Sequence, residues 1–193
     1  MKILHSIALI SITTSLLLAT SQTQEEAQMQ EVLKLGKQGS SLLGKTLGKN
    51  MKAHMKKGGP MDALNFCSTE AFDLTEGTSK KLPSGVKVKR ISTNNRSVVN
   101  APLENEGVIL ESLEKLQKSG VILPEYVVEK VNDKTFKYYK PIMIDNAVCL
   151  KCHGDLQEGA MKKAIQERYP DDKALGYKMN DLRGAVVVTI ETK

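Results

Sequence analysis

The sequence predicts a single α+β domain built on a small antiparallel sheet, and three observations support this fold class. Helical periodicity fills the first third of the 193-residue chain, strand-like alternation appears in later segments, and neither an internal repeat nor a low-complexity tract divides the chain. With 40% hydrophobic residues the chain can bury one core. At this length we do not expect a two-domain enzyme with a large cleft.

The N-terminus has the pattern of a secretory signal peptide. Lys2 precedes an apolar run from Ile7 to Leu18, and small residues then lead into a polar stretch. The run is about a dozen residues long, whereas a membrane span needs roughly 20. We therefore expect residues 1–21 to be cleaved and residues 22–193 to form a periplasmic or secreted domain without a membrane span. A retained membrane anchor is the alternative.

Two helices are predicted at the start of the mature domain. Leucine, valine and methionine recur at three- and four-residue spacings from Glu25 to about Lys57, which predicts a long amphipathic helix. Its glycines either weaken it or permit close packing against another element: Gly36, Gly39, Gly44 and Gly48. Gly58-Gly59-Pro60 breaks it, and a second helix follows to about Phe72, with Leu64 and Cys67 on its inward face.

The rest of the chain is predicted to alternate strands and helices. A polar loop is expected at 75–84 and an irregular segment at 94–102. Residue alternation and β-branched residues predict strands at 86–91, 126–131, 135–144 and 184–190, the second and third of them paired through Asn132-Asp133. Helices are predicted at 106–119 and at about 156–168. The first of these is expected to turn four residues inward: Val108, Leu110, Leu113 and Leu116.

Charge and composition exclude several partner classes. The formal net charge is +6, but 28 basic residues are scattered among 22 acidic ones, so we expect no nucleic-acid partner. Aromatic residues make up 4% of the chain and Trp is absent. This argues against a carbohydrate-binding surface and against a stacking platform for single-stranded nucleic acid.

The most informative segment is Cys149-Leu150-Lys151-Cys152-His153-Gly154. C-x-x-C-H is the attachment pattern of c-type haem, in which two cysteines on one turn form thioether bonds to the haem and the histidine ligates iron. A local disulfide, a redox dithiol and a zinc site are the alternatives. The zinc site would have only Cys67 and His54 to complete its ligand set. Export favours haem, since covalent attachment takes place outside the cytoplasm.

An iron ligated by His153 on one face has several candidates for its other face. They are an open position, Cys67, His54 and six methionines: Met51, Met55, Met61, Met143, Met161 and Met179. Methionine also packs well in cores, and His54 lies in a lysine-rich segment that predicts a solvated surface position. Cys67 is the cysteine outside the pair, and a lone thiol in an exported protein is expected to be buried or ligating. The residues alone leave both possibilities for Cys67 open.

Further motifs follow in order along the mature domain. They are Ala63-Leu64-Asn65-Phe66-Cys67; Val88-Lys89-Arg90-Ile91-Ser92 leading to Arg96, Asn100, Pro102 and Glu104; Tyr138-Tyr139-Lys140-Pro141-Ile142; Cys149 to Gly154; and Tyr169-Pro170-Asp171 through Gly176-Tyr177 to Asp181-Leu182-Arg183-Gly184-Ala185. With these motifs the chain resembles a c-type haem family with a PAS-like fold, formerly a domain of unknown function. Its members occur alone or as the sensor part of bacterial signalling proteins.

The resemblance implies a PAS-like antiparallel sheet flanked by helices, with the long N-terminal helix packed outside it. It also implies one covalent haem c per chain, attached by Cys149 and Cys152, with His153 and Cys67 as the axial iron ligands. One departure is Arg96-Ser97-Val98, where the family usually has Arg-Asn-Pro before an Asn-x-Pro turn. This departure concerns the local loop conformation and leaves the iron ligands in place.

Basic and aromatic residues near the motifs are candidates for contacts with the haem. Arg90 and Arg96, and also Lys137 or Lys140, are expected to neutralise the haem propionates through charge-assisted hydrogen bonds, with a solvated strand face as the alternative for each. Tyr138 and Tyr139 alternate on one strand, so only one of them can face the haem, and Tyr138 is our candidate.

Three functions fit such a protein. A sensor of redox state or of a diatomic gas (NO or CO) is favoured, because a thiolate ligand stabilises ferric iron and becomes labile on reduction or protonation. A periplasmic electron-transfer cytochrome is the alternative. A haem peroxidase is the least favoured, since no distal His-Arg pair is apparent, and we therefore expect no enzymatic activity. The sensor requires an unidentified signalling or redox partner protein, and the long helix is a candidate surface for a homodimer.

Overall fold

The computed structural model describes the backbone of residues 6–192 and the side chains of residues 23–192. The predicted signal peptide, residues 1–21, therefore begins outside the described residues, and its side chains all lie outside them. Within the described range there are five helices and four strands: α1 (Ser6–Thr69), α2 (Ala71–Ser79), β1 (Val86–Ile91), α3 (Glu104–Lys118), β2 (Val127–Lys130), β3 (Thr135–Met143), α4 (Leu150–His153), α5 (Ala160–Arg168) and β4 (Leu182–Glu191).

The four strands form one antiparallel sheet in the order β1-β4-β3-β2. The C-terminal strand β4 lies in the middle, where Val188 is in register with Val88 on one side and with Tyr138 on the other. Its β-branched run is buried almost throughout because the sheet is covered on both faces. The predicted α+β class is confirmed, with its antiparallel sheet and long N-terminal helix. The likeness to PAS domains in particular stays a prediction.

Two apolar clusters lie on the two faces of the sheet. Val88, Tyr138 and Val188 face α1 and join Val32 and Leu43 of that helix, with further core residues around them. The alternate strand residues face α3, where they pack around one leucine of that helix: Ile91, Tyr139, Ala185 and Val187, around Leu110. Each strand therefore contributes to both clusters, as the two-residue period of a strand requires.

Close packing between α1 and the sheet depends on two of the four glycines in the long part of α1. A Cβ atom on Gly36 would lie 2.3 Å from Cγ of Tyr138, and one on Gly39 would lie 3.0 Å from Cγ1 of Val188. At Gly44 and Gly48 a Cβ atom would meet nothing within 4 Å. Gly36 and Gly39 therefore permit close packing of α1 on the sheet.

The predicted break in α1 is present at Gly58-Gly59. Gly59 has φ 70°, ψ −159°, a combination that residues with a Cβ rarely adopt, and both glycines lie outside the helical region. Residues 60–69 then continue as a separate helical piece, here named the Cys67 segment. His54 bridges the break, since its Nδ1 lies 3.0 Å from Oδ2 of Asp62 and its ring stacks on Phe66.

Two predicted details of the helices are wrong. The polar loop expected from residue 75 begins later, because α2 continues to Ser79. In α3, Val108 and Leu116 are 60% and 41% exposed, whereas Leu110 and Leu113 are buried as expected. The buried face of α3 includes Glu106 instead, which lies near Leu110 and Leu113 at 3.6 residues per turn, while Val108 lies on the opposite side.

Among the described residues, no helix is both long enough and apolar enough to cross a membrane.

Candidate haem site

The C-x-x-C-H segment forms one compact helical turn. A 3₁₀ turn, Ala147–Cys149, runs directly into α4, which ends at His153. The side chain of Asn146 starts this turn by accepting a hydrogen bond from the backbone N–H of Val148 at 2.9 Å. Cys149 and Cys152 are both half-buried. The two thiols thus lie on one helical turn, as predicted.

His153 is held as a neutral imidazole with a defined tautomer. Burial, followed by the charges of Arg183 and Arg96, lowers the pKa of His153 to about 3. Nδ1 lies 2.9 Å from the carbonyl oxygen of Ala174, and since a carbonyl only accepts, Nδ1 carries the proton. Nε2 therefore keeps its lone pair. Tyr177 packs edge-on against the ring, with centroids 6.2 Å apart.

The backbone around His153 is fixed by the loop 172–177. The amide of Tyr177 donates to the carbonyl of His153 at 2.9 Å, and the amide of Gly176 donates to the carbonyl of Gly154 at 3.0 Å. Ala174 of the same loop accepts from the His153 ring. One loop therefore holds both the main chain and the side chain of this histidine.

Cys67 of the Cys67 segment shares this site. Burial raises the pKa of Cys152, the charge of Arg96 opposes this, and a charge on the Cys67 thiol raises the pKa further. Cys67 and Cys152 therefore lie within range of an electrostatic interaction although they are distant in sequence. The predicted inward orientation is wrong: Cys67 is exposed, whereas Leu64 and Phe66 beside it are buried. Desolvation by the surrounding protein still raises the pKa of the Cys67 thiol, against the opposing charges of Arg90 and Arg96. The thiol is therefore reachable from solvent although protein lies close around it.

Three arginines surround the turn and Cys67. Arg90, Arg96 and Arg183 each lower the pKa of His153 by their charge. Burial lowers the pKa of Arg90 and also that of Arg183. Arg183 donates to Oγ of Ser92 at 2.7 Å and to the carbonyl of Asn94 at 3.1 Å, and its guanidinium lies 5.3 Å from the ring centroid of Tyr177.

In the part of the chain that the structure describes, two of these arginines lack a carboxylate partner. Across residues 23–192, neither Arg90 nor Arg183 is in an ion pair. The Nε of Arg90 is buried without a hydrogen-bond partner in the described part of the chain. The site therefore carries two half-buried positive charges that have no carboxylate partner among the described residues. The unpartnered buried Nε of Arg90 is costly unless something else binds it.

Arg96 is held behind the attachment turn. Its Nε donates to Oδ1 of Asp172 at 3.1 Å, and its Nη2 donates to the carbonyls of Cys152 at 2.6 Å and Ala174 at 3.2 Å. Arg96 is 9% exposed and the Asp172 side chain 5%. The role predicted for Arg96 at a propionate stays a prediction, and the contacts described here tie it to the backbone of the site.

Tyr138 lies away from the attachment turn and the arginines around it. Tyr138 is buried between the sheet and α1, stacked on Tyr126 with centroids 5.0 Å apart and packed against Gly36. Tyr139 is also fully buried, under α3, with its hydroxyl donating to Glu129. The two tyrosines point to opposite faces as expected, although neither meets solvent. A haem contact by Tyr138 stays a prediction.

The two lysine candidates are engaged elsewhere. Lys137 pairs with Glu106 at 3.1 Å, and Lys140 pairs with Glu125 at 3.4 Å. His54, an alternative iron ligand, is half-buried against Asp62 and Phe66 rather than solvated at the surface.

Sequence reasoning missed Arg183, Asp172 and Tyr177 as residues of this site. Arg183 and Tyr177 both lie in motifs that carried the resemblance, but neither was assigned a role. The position of Arg183 could have indicated its role. It lies at the start of the most apolar strand, where a charged side chain is unfavourable unless it takes part in a binding site. Asp172 lies in a polar loop and carries no such signal.

Comparisons with known proteins agree with this architecture. The crystal structure of the cyanobacterial haem protein Tll0287 superposes with a TM-score of 0.57 at 20% sequence identity, over 86% of this chain and 95% of that one. Comparison with curated proteins finds no match. The family model described as Tll0287-like matches residues 10–191, nearly the whole sequence. The chain therefore belongs to the Tll0287-like family.

Proposed function

We propose that this protein is an exported c-type haem protein that senses redox state or a diatomic gas. Cys149 and Cys152 would hold the haem covalently, and His153 and Cys67 would ligate its iron. The haem supplies a redox-active iron when bound. The observation that carries the proposal is the neutral imidazole of His153, with Nδ1 bonded to Ala174 and Nε2 free to ligate, beside the two attachment thiols and within electrostatic reach of Cys67.

The charge of the site fits a haem. A haem carries two propionates, and two half-buried arginines, Arg90 and Arg183, have no carboxylate partner in the described residues. A propionate oxygen would satisfy the orphaned Nε of Arg90 through a charge-assisted hydrogen bond. The solved structure of a cyanobacterial haem protein with the same fold, in the same family, supports this reading.

Sensing is favoured by the position of Cys67 in the fold. The Cys67 segment joins the long part of α1 through the Gly58-Gly59 break, and His54 links the two pieces through Asp62 and Phe66. A thiolate ligand is labile when the iron is reduced. Loss of the Cys67 ligand would therefore release the Cys67 segment, which is joined to the long part of α1. A change at the iron would thereby alter α1 and reach a partner protein bound to it.

Electron transfer is the second candidate function. Cys149 and Cys152 are half-buried, so the attachment turn reaches the surface, where a redox partner can approach. This function requires a ligand set that stays in place in both oxidation states.

Covalent haem and export are tested together by the intact mass of the protein purified after secretion. We expect the mass of residues 22–193 plus one haem, which stays attached during acidified-acetone extraction and gives a pyridine haemochrome spectrum. Replacing both Cys149 and Cys152 by Ser should abolish attachment, whereas Cys67→Ala should retain it. A wild-type mass equal to the bare polypeptide would refute the proposed haem, and an uncleaved N-terminus would refute the proposed processing.

Sensing and electron transfer are separated by adding NO or CO to the reduced protein. For a sensor we expect rapid binding of the gas to ferrous haem, with a change in protease accessibility near Gly58-Gly59. Reversible redox cycling without gas binding would instead identify an electron carrier. Sustained turnover of hydrogen peroxide would contradict both.

A further inference from the structure

Arg96 and Asp172 form an ion pair beside the C-x-x-C-H turn. Both side chains are almost fully buried. They are joined by the Nε–Oδ1 contact of 3.1 Å. Within residues 23–192, their other side-chain hydrogen bonds end on the backbone of Cys152, which adjoins His153, and of Ala174, which contacts it. This arrangement differs from that of Arg90 and Arg183, which have no ion-pair partner within residues 23–192.

The contacts converge on Ala174. Oδ1 of Asp172 accepts from the amide of Ala174 at 2.9 Å, and Nη2 of Arg96 donates to the carbonyl of Ala174 at 3.2 Å. That same carbonyl accepts the Nδ1 proton of His153. Both hydrogen-bonding groups of Ala174 are thereby fixed, and the acceptor that sets the tautomer and ring orientation of His153 cannot move independently.

The same guanidinium also holds the attachment turn. Nη2 of Arg96 donates to the carbonyl of Cys152, the residue before His153, at 2.6 Å. One planar, rigid group therefore fixes the backbone that leads into the histidine and the carbonyl that receives its proton. A lysine at this position would keep the positive charge, but its single ammonium group could not reproduce the contacts of the planar guanidinium.

We propose that Arg96 and Asp172 are positioning residues that tune His153 as an iron ligand through the Ala174 carbonyl. The inference rests on the proposed haem function. A histidine that donates to a firmly held acceptor is a more basic ligand and stabilises ferric iron. Loosening Ala174 should weaken this donation and favour the ferrous state.

The test compares the haem-loaded wild type with Arg96→Lys, which keeps the charge and loses the planar guanidinium. At a fixed solution potential we expect the ferrous-to-ferric ratio of Arg96→Lys to rise by about three- to tenfold. Its ferric low-spin electron paramagnetic resonance signal should also broaden, because the imidazole adopts several orientations. Lys173→Arg is the matched control, since Lys173 is exposed in the same loop, and it should change neither readout.

Asp172→Asn is a second, nearly isosteric variant in case Arg96→Lys does not fold. It should shift both readouts in the same direction and less strongly, because the amide oxygen can still accept from Ala174. Lower thermal stability with an unchanged ratio and an unchanged resonance signal would show a merely structural role and overturn the inference. Wild-type protein without covalent haem would overturn the proposed function, and this inference with it.

Discussion

Glu106 is fully buried between two lysines, on a helix face that otherwise packs into the core. Its carboxylate lies 2.8 Å from Nζ of Lys89 and 3.1 Å from Nζ of Lys137, and it accepts from the amide of Leu103 at 2.9 Å. Burial by itself raises the pKa of Glu106, but these hydrogen bonds and the lysine charges outweigh it, so that the pKa lies below its ordinary value. The ionised carboxylate therefore stabilises the fold.

Glu106→Gln should lower the free energy of unfolding by about 2 kcal/mol near neutral pH, because two lysines lose their buried counter-charge. The wild-type carboxylate contributes fully above its ordinary pKa of 4.5. That contribution is lost as the pH falls through the lowered pKa of the folded state. Urea unfolding as a function of pH should therefore show a difference between the two proteins that shrinks below about pH 4.5.

Glu111→Gln is the control for this prediction, since Glu111 is exposed on the same helix. It should change stability by less than about 0.5 kcal/mol. A Glu106→Gln protein as stable as the wild type, or a stability difference that does not depend on pH, would contradict this role of Glu106.

Iron ligation by Cys67 would distinguish this protein from a cytochrome in which methionine ligates the iron. If the Cys67 thiolate ligates iron, the ferric protein should be low-spin and six-coordinate with thiolate-type charge-transfer bands. Cys67→Ala should remove these bands, leave the haem covalently attached and raise the reduction potential, because an anionic donor that favours ferric iron is lost. Absorption spectroscopy with a redox titration measures all three effects.

Two further variants sharpen the Cys67 experiment. Cys67→Met should also raise the potential, since a neutral thioether replaces an anion. Ser68→Ala is the neighbouring control, because among the described residues the Ser68 hydroxyl bonds only to the carbonyl of Asn65, at 2.9 Å, within its own helical piece. An unaltered ferric spectrum in Cys67→Ala would assign the second ligand to another residue and remove the main chemical support for sensing.

The contact between α1 and the sheet is decided by the absence of a side chain at Gly36. The Tyr138 ring lies where a Cβ atom would be, and this ring is itself stacked on Tyr126, so it cannot move aside freely. Interiors this closely packed tolerate added atoms poorly. The glycines of α1 thus have two different consequences: at Gly36 and Gly39 they permit packing, while at Gly44 and Gly48 they only reduce helix propensity.

Gly36→Ala should therefore lower the free energy of unfolding by about 1–3 kcal/mol, despite the better helix propensity of alanine. Gly44→Ala places its methyl group in open space and should raise it by up to about 1 kcal/mol. Urea unfolding of the two variants gives the comparison. Equal stability of the two would mean that α1 does not pack on Tyr138 as described.

On the scale of the whole molecule, the candidate site gathers residues from distant parts of the chain. Cys67 comes from α1, Arg90 from β1, the attachment turn from 147–153, and Arg183 from the start of β4. Because β4 pairs with the edge strand β1, Arg183 at the start of β4 reaches Ser92, which lies just beyond the end of β1. The pairing of the last strand with β1 thus brings Arg183 to the same site as Arg90.

The sequence by itself determined the features that depend on neighbours along the chain. The strand Val86–Ile91, the break at Gly58-Gly59 and the helical turn of C-x-x-C-H are set by local periodicity, by glycine conformation and by spacing, so they could be predicted. The resemblance then singled out Cys67, which the structure brings within electrostatic reach of Cys152.

Only the tertiary structure decided which side chains are buried and what they contact. Glu106 is buried because Lys89 and Lys137 approach it from two different strands, and no local pattern encodes that approach. Arg96 turns towards Asp172 and the backbone, and Tyr138 packs under α1, because contacts between distant segments settle where each side chain lies. Period and spacing fix the local conformation of a segment, whereas the partner of a buried charge depends on the packing of the whole domain.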